Sequence, residues 1–190
     1  MAERRWENKA RPMPITPETK SWTWVLERAC PDCGFDASAT DPTTVAALIR
    51  DDADRWQTLL DHDEVRDRPD DDTWSGLEYG CHVRDVYRLF DERLSLMLDE
   101  DDPLFANWDQ DETAVTARYG EQDPRAVAED LRAAATVIAD RFDTVEGDTW
   151  HRTGRRSDGA RFTVDSFSRY LIHDPIHHRW DVERGYSHPR

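Results

Sequence analysis

Three of the seven histidines in this chain have a spacing that could do chemistry. His173 and His177 are four residues apart, which on an α-helix places both imidazoles on one face about one turn apart. His82 lies far upstream, three residues after Tyr79 and four before Val86, on the shoulder of an apolar stripe that must face a core. One imidazole from an earlier helix and two from a later one can therefore meet at a point. Neutral imidazole suits zinc, nickel or ferrous iron, and three protein ligands leave positions open for water or substrate. The expected centre is a divalent metal on His82, His173 and His177, with zinc first and nickel or iron as alternatives. His178 is five residues from His173, roughly 140° around the helix, and is left out of the set. The plainer alternative is that these are scattered helix histidines.

Other side chains are placed to serve such a centre. Asp85, three residues after His82, and Asp181, four after His177, are the candidate catalytic carboxylates, as acid or base or as partners that orient an imidazole. In a chain with 41 acidic residues, a solvated face explains them as readily. Glu78 is one turn from His82 but also completes a capping box with Ser75. Tyr170 and Trp180 share the face of His173 and His177 and are candidate substrate-binding residues. Trp74 and Trp180 could wall an apolar pocket or simply pack in the core. The segment around Arg152, Arg155, Arg156 and Arg161 is basic, with only Asp158 opposing. Arg155 and Arg156 are expected at the pocket mouth, receiving an anionic group of the substrate. Pairing with acidic loops is the competing account.

The three cysteines are Cys30, Cys33 and Cys81. Cys30-Pro-Asp-Cys33-Gly resembles one knuckle of a zinc ribbon, but the sequence holds no second knuckle, so a tight turn with packed thiols is expected, with metal binding or redox work as alternatives. Cys81 is rotated about 100° from His82 and reads as a small core residue.

The elements that must position these groups are helical. Asp41-Pro42 opens a helix over about 42–61. Ser75 caps a second over about 75–98, whose stripe is Tyr79, Val83, Val86, Phe90, Leu94 and Met97. Asp123-Pro124 opens a third over about 124–142, with Val127, Leu131, Ala134, Ile138 and Phe142 on one face. Thr163 or Asp165 starts a fourth over about 164–183. Asp158-Gly159 marks a small hairpin before it. The stretch 99–122 has no clear period and reads as a long crossover. The fold class is all-α: a four-helix bundle over residues 41–190 with a long crossover and a small hairpin. It is preceded by an extended, proline-punctuated N-terminal arm with the CxxC turn over residues 1–40.

Composition bounds the function. The chain has 190 residues and a formal net charge of −16. That balance argues against binding nucleic acid or docking on an anionic membrane, both of which rest on Lys and Arg. Only Lys9 and Lys20 are lysines, so the basic residues are nearly all Arg, and Asp far outnumbers Glu. This bias fits a GC-rich genome such as an actinomycete's, or a salt-adapted proteome. The longest apolar run, Val45 to Ile49, is far short of a bilayer span. The first residues lack an apolar signal region, and three cysteines make no disulfide framework, so a cytoplasmic location is expected. The expected partner is a small-molecule substrate, and a homodimer is left open.

The run Trp74-Ser75-Gly-Leu-Glu78-Tyr-Gly-Cys-His82-Val83, the hairpin Ser157-Asp158-Gly159 and the run His173-Asp-Pro-Ile-His177-His178-Arg-Trp-Asp181 together resemble the DinB-like four-helix superfamily over about residues 42–185. The resemblance implies a divalent metal on His82, His173 and His177. It also implies a thiol-dependent transferase or isomerase that uses a low-molecular-weight thiol such as mycothiol; a metal-activated water, giving a hydrolase, and a non-catalytic binding module of stress response are the alternatives. The family name refers to DNA damage induction and implies no DNA binding. Two features depart from the usual pattern: the CxxC turn, and Pro175 between the paired histidines, which should either kink the helix or splay the pair.

Overall fold

A computed structural model describes residues 22–187. The extended arm expected over residues 1 to about 20 lies outside the described residues. Among the described residues five α-helices are formed: α1 (Val45–Leu60), α2 (Gly76–Asp99), α3 (Gln110–Thr116), α4 (Pro124–Phe142) and α5 (Val164–Ser187). A two-stranded antiparallel hairpin, β1 (Thr153–Arg155) and β2 (Arg161–Thr163), precedes α5. No helix among the described residues is long and apolar enough to cross a membrane.

Local chemistry sets the helix starts. Asp41 accepts a hydrogen bond from the Thr43 N–H, but what it caps is a single 3-10 turn, Pro42–Thr44, that leads into α1. At α2 the Ser75 hydroxyl accepts from the Glu78 N–H at 3.3 Å, and the Glu78 carboxylate accepts from the Ser75 N–H at 2.9 Å. Arg68 donates to the same carboxylate at 2.8 Å. Burial alone would push the Glu78 carboxyl up; Arg68 and Ser75 outweigh it and hold the group below the usual carboxylate range. Glu78 is thus committed to the cap and to Arg68. Asp123 caps α4 through the Arg125 and Ala126 N–H groups, with Pro124 in the first turn.

The four long helices form a ring in the order α1, α4, α2, α5. Helix α4 packs against both α1 and α2, and so does α5, while α1 and α2 meet little and α4 and α5 less still, each pair facing across a diagonal. Trp56, Leu77, Tyr87, Leu94, Leu131, Ile138 and Leu171 are fully buried where the stripes converge. A buried ion pair, Arg179 Nε to Asp52 Oδ1 at 2.7 Å, ties α5 to α1. Gly80 is required where α2 meets the end of α1, since a Cβ there would lie 2.6 Å from Leu60 Cδ2.

Two expectations needed correction. The crossover 99–122 contains α3, a short helix capped by Asp109, whose seven residues are too few to show a period. Pro175 leaves α5 unbroken over its 24 residues. The proline removes one backbone hydrogen bond, and packing of the helix on α1 and α2 outweighs that local cost.

Ile138 has no exposed surface and lies on the inner face of the C-terminal half of α4. Ile138→Ala is expected to lower stability by about 3 kcal/mol. A shift of the urea midpoint with an unchanged slope checks this; a shift below ~1 kcal/mol would show that the bundle core is not where the ring places it.

Candidate metal centre

Helix α5 sorts its ligand residues onto two neighbouring faces, and the expected triad is not brought together. His173 and His177 turn toward the N-terminal segment: His177 Nδ1 is 3.6 Å from Cys30 Sγ, and His173 Nε2 is 3.8 Å from Cys33 Sγ. His82 faces the next register of the helix. Its Nε2 is 3.4 Å from Asp174 Oδ1, and His178 Nε2 is 3.9 Å from that same oxygen. One residue rotates a helix by about 100°, so 173/177 and 174/178 are two i,i+4 pairs on adjacent faces. His178, left out by counting from His173, is therefore a member of the His82 set, with Asp174 as the third group.

The donor atoms of His82, Asp174 and His178 all lie within 4.8 Å of one another. His82 is buried, with 1% exposure, yet neither of its ring nitrogens makes a hydrogen bond, and Asp174 Oδ1 is likewise buried without one. Orphaned buried nitrogens beside an orphaned carboxylate oxygen fit a cation between them. Around a tetrahedral ion with bonds of ~2.0–2.1 Å, such atoms stand about 3.3 Å apart, so the set needs only a small contraction. Burial would raise the Asp174 carboxyl; the facing His178 and His82 imidazoles reverse this and hold it far below the usual range. The Asp174 carboxylate is therefore anionic.

Trp74 and Trp108 flank the His82 ring at 5.4 and 5.6 Å, the second stacked. His178 Nδ1 lies 3.3 Å from Asp181 Oδ2, so Asp181 accepts from Nδ1–H and leaves Nε2 to face Asp174. Asp181 also sits 3.8 Å from His177 Nε2. It is an orienting carboxylate between the two faces of α5.

Asp85 does not reach the centre. It accepts from Arg84 Nε at 2.8 Å and from the Tyr119 hydroxyl at 2.6 Å. Burial would raise its carboxyl, but these two donors hold it below the usual range. Although residues 82 and 85 are neighbours on the helix surface, Arg84 and Tyr119 hold the Asp85 carboxylate on the crossover side. Trp180 packs beside the His177 ring at 5.9 Å and beneath Arg184, and it does not line the pocket.

A pocket of about 420 Å³ opens beside Asp174 and His178, walled by Trp22, Phe90, Trp108 and Tyr170. Its cations are Arg93 and Arg156. Arg156 donates to the Tyr170 hydroxyl at 3.1 Å and pairs with Asp158. Arg155 is drawn away from the pocket by Asp102, at 3.0 Å, and belongs to the hairpin's own structure. The group missed from sequence is Arg93. It is buried against Phe90 and Phe105, donates to the Ala106 carbonyl at 3.1 Å, and its Nε has no hydrogen-bond partner. Burial, aided by the nearby Arg156 charge, lowers its guanidinium to about 10, so it remains a cation at neutral pH. Its signal was present: residue 93 is three after Phe90 and four before Met97, an arginine inside the apolar stripe. Asp111 of α3 also lines the pocket, with Oδ1 buried and unbonded. Burial and Asp109 raise its carboxyl, against an opposing pull from His82.

The solved structure of YfiT from Bacillus subtilis, described as a probable metal-dependent hydrolase with an unusual four-helix bundle topology, superposes with a TM-score of 0.68. The match covers 78% of this chain and 89% of that one at 15% identity, a likeness of fold. No curated protein matches the chain. The family model of the DinB superfamily matches residues 48–182, well over half of the sequence. The chain therefore belongs to the DinB superfamily.

Proposed function

We propose that the protein is a metal-dependent enzyme acting on a small anionic substrate, with a divalent ion held by His82, Asp174 and His178. The observation that carries this reading is the orphaned set itself: a buried imidazole without hydrogen bonds facing a carboxylate oxygen and a second imidazole at the wall of a pocket. Two histidines and one carboxylate form the donor set of hydrolytic zinc sites, and they also suit ferrous iron. When bound, the ion supplies Lewis acidity that lowers the pKa of a water or thiol and polarises a substrate oxygen.

The protein's own groups complete the chemistry. Asp181 fixes the His178 tautomer by accepting from Nδ1–H. Arg93 and Arg156 present two cations to a carboxylate or phosphate of the substrate in a chain that is otherwise acidic. Asp111, raised by burial and carrying an unbonded Oδ1, takes up a proton at that oxygen as general base. Trp22, Phe90 and Trp108 keep bulk water from the reacting face. Water as nucleophile gives a hydrolase. A low-molecular-weight thiol in its place gives an S-transferase or isomerase, a second reading favoured by the aromatic walls, against which sulfur packs well.

A panel of small carboxylate-bearing esters and electrophiles, assayed with and without mycothiol or a simple analogue, separates the two nucleophiles. Asp174→Ala and His178→Ala should each abolish turnover and release the ion, while Asp85→Asn should retain both. Asp111→Asn should lower kcat about 10²–10⁴-fold with metal content unchanged. Arg93→Gln should raise KM for the anionic substrate about tenfold or more. Full metal retention in both ligand variants would contradict the assignment.

Acid should empty the centre. An imidazole titrates near ~6.5 and binds metal only when neutral, so protons compete as pH falls, whereas Asp174 stays ionised through that window. Occupancy of this centre is therefore expected to fall as the pH is lowered, because protons compete with the ion for the imidazole nitrogens. Metal analysis after dialysis across this range reads the loss. Retention at pH 4.5 would exclude histidine ligation.

A further inference from the structure

We propose that Cys30, Cys33, His173 and His177 form a second, closed zinc site that clamps the N-terminal segment onto α5. The four donor atoms lie within 4.8 Å of one another. Their spacing in the chain is C-x2-C and H-x3-H, the ligand spacing of Cys2His2 zinc sites, here split between a loop and a distant helix. Bonds of ~2.3 Å to sulfur and ~2.0–2.1 Å to nitrogen at a tetrahedral angle place sulfur and nitrogen about 3.6 Å apart. The observed separations are 3.6 Å for Cys30 to His177 and 3.8 Å for Cys33 to His173.

The loop is built to present both thiols on one side. The Cys30 N–H donates to the Phe35 carbonyl at 2.9 Å, and the Gly34 N–H donates to the Cys30 carbonyl at 3.0 Å. Gly34 has φ +74°, a left-handed conformation that closes the turn and that a side chain would strain. All three cysteines are free, and Cys30 is buried at 1% exposure. The second knuckle that the sequence lacks is supplied by one face of α5. Two thiolates balance a divalent ion, so the loaded site is neutral overall and is buried at little electrostatic cost. Four protein donors leave no open position, so this site organises structure while the His82 set keeps positions for substrate.

What it organises is a pocket wall. Trp22 packs on His173 and His177 at 5.6 and 5.0 Å between centroids, and it lines the pocket. The clamp fixes the segment at residues 30 and 33, and Arg169 of α5 holds the Ser38 carbonyl at 3.2 Å beyond it.

The test uses the full-length protein loaded with zinc or cobalt alone. Cobalt-loaded wild type should show a thiolate-to-cobalt charge-transfer band and intense tetrahedral d–d absorption, and His82→Ala should keep both. Cys33→Ser and Cys30→Ser should each lose the band and one zinc per chain, while the ion lost in His82→Ala remains. In zinc-loaded wild type, Cys30 and Cys33 should resist a thiol reagent until a chelator removes the metal. A wild-type protein without the thiolate band, with both thiols freely reactive in the presence of zinc, or with a Cys30–Cys33 disulfide would overturn the proposal and leave the His82 site untouched. These wild-type readouts decide the matter even if the cysteine variants fail to fold.

Discussion

The geometry of this protein's chemistry depends on the period of α5. A helix turns about 100° per residue, so positions 173 and 177 share one face and positions 174 and 178 the next. Each face carries a pair of groups able to bind metal, and a different partner element meets each: the Cys30–Cys33 turn on one side, His82 of α2 on the other. Continuity of the helix through Pro175 is what keeps these two pairs in register. A kink there would rotate the second member of each pair away from its partners. The buried Asp52–Arg179 pair and the packing of α5 on α1 and α2 anchor the helix where the proline weakens it.

Electrostatics follows from that arrangement. Asp174 is ionised and faces imidazoles, so the pocket end of the bundle concentrates negative charge that a cation must complete. Arg93 and Arg156 line the same pocket, together with Trp22, Phe90, Trp108 and Tyr170. Asp181 stands between His178 and His177 and touches both imidazole sets, so a change of charge on one face of α5 is felt on the other.

The bundle was legible because its signals are local. The Ser75–Glu78 box, the Asp-Pro starts and the apolar stripes of α2 and α4 each follow from a few neighbouring residues, and the Asp158-Gly159 turn closes the expected hairpin. Helix α3 escaped because seven residues barely complete two turns. The ligand set was legible in kind but not in grouping. His82 and an α5 pair with i,i+4 spacing were recognisable, yet counting histidines alone hides Asp174–His178, which has the same spacing one residue on. Cys30 and Cys33 were recognisable as half a zinc site, and their other half is 140 or more residues away, a pairing only the fold creates. Asp85 and Arg155 were placed at the site by proximity in sequence and are claimed instead by Arg84, Tyr119 and Asp102.

The central claim is that one helix divides its ligands between two centres. Crystals of the full chain grown with zinc, with diffraction recorded on either side of the zinc absorption edge, test it directly. The account predicts two anomalous peaks, one enclosed by Cys30, Cys33, His173 and His177, the other bounded by His82, Asp174 and His178. A single peak shared by His82, His173 and His177, with the cysteines unliganded, would contradict it.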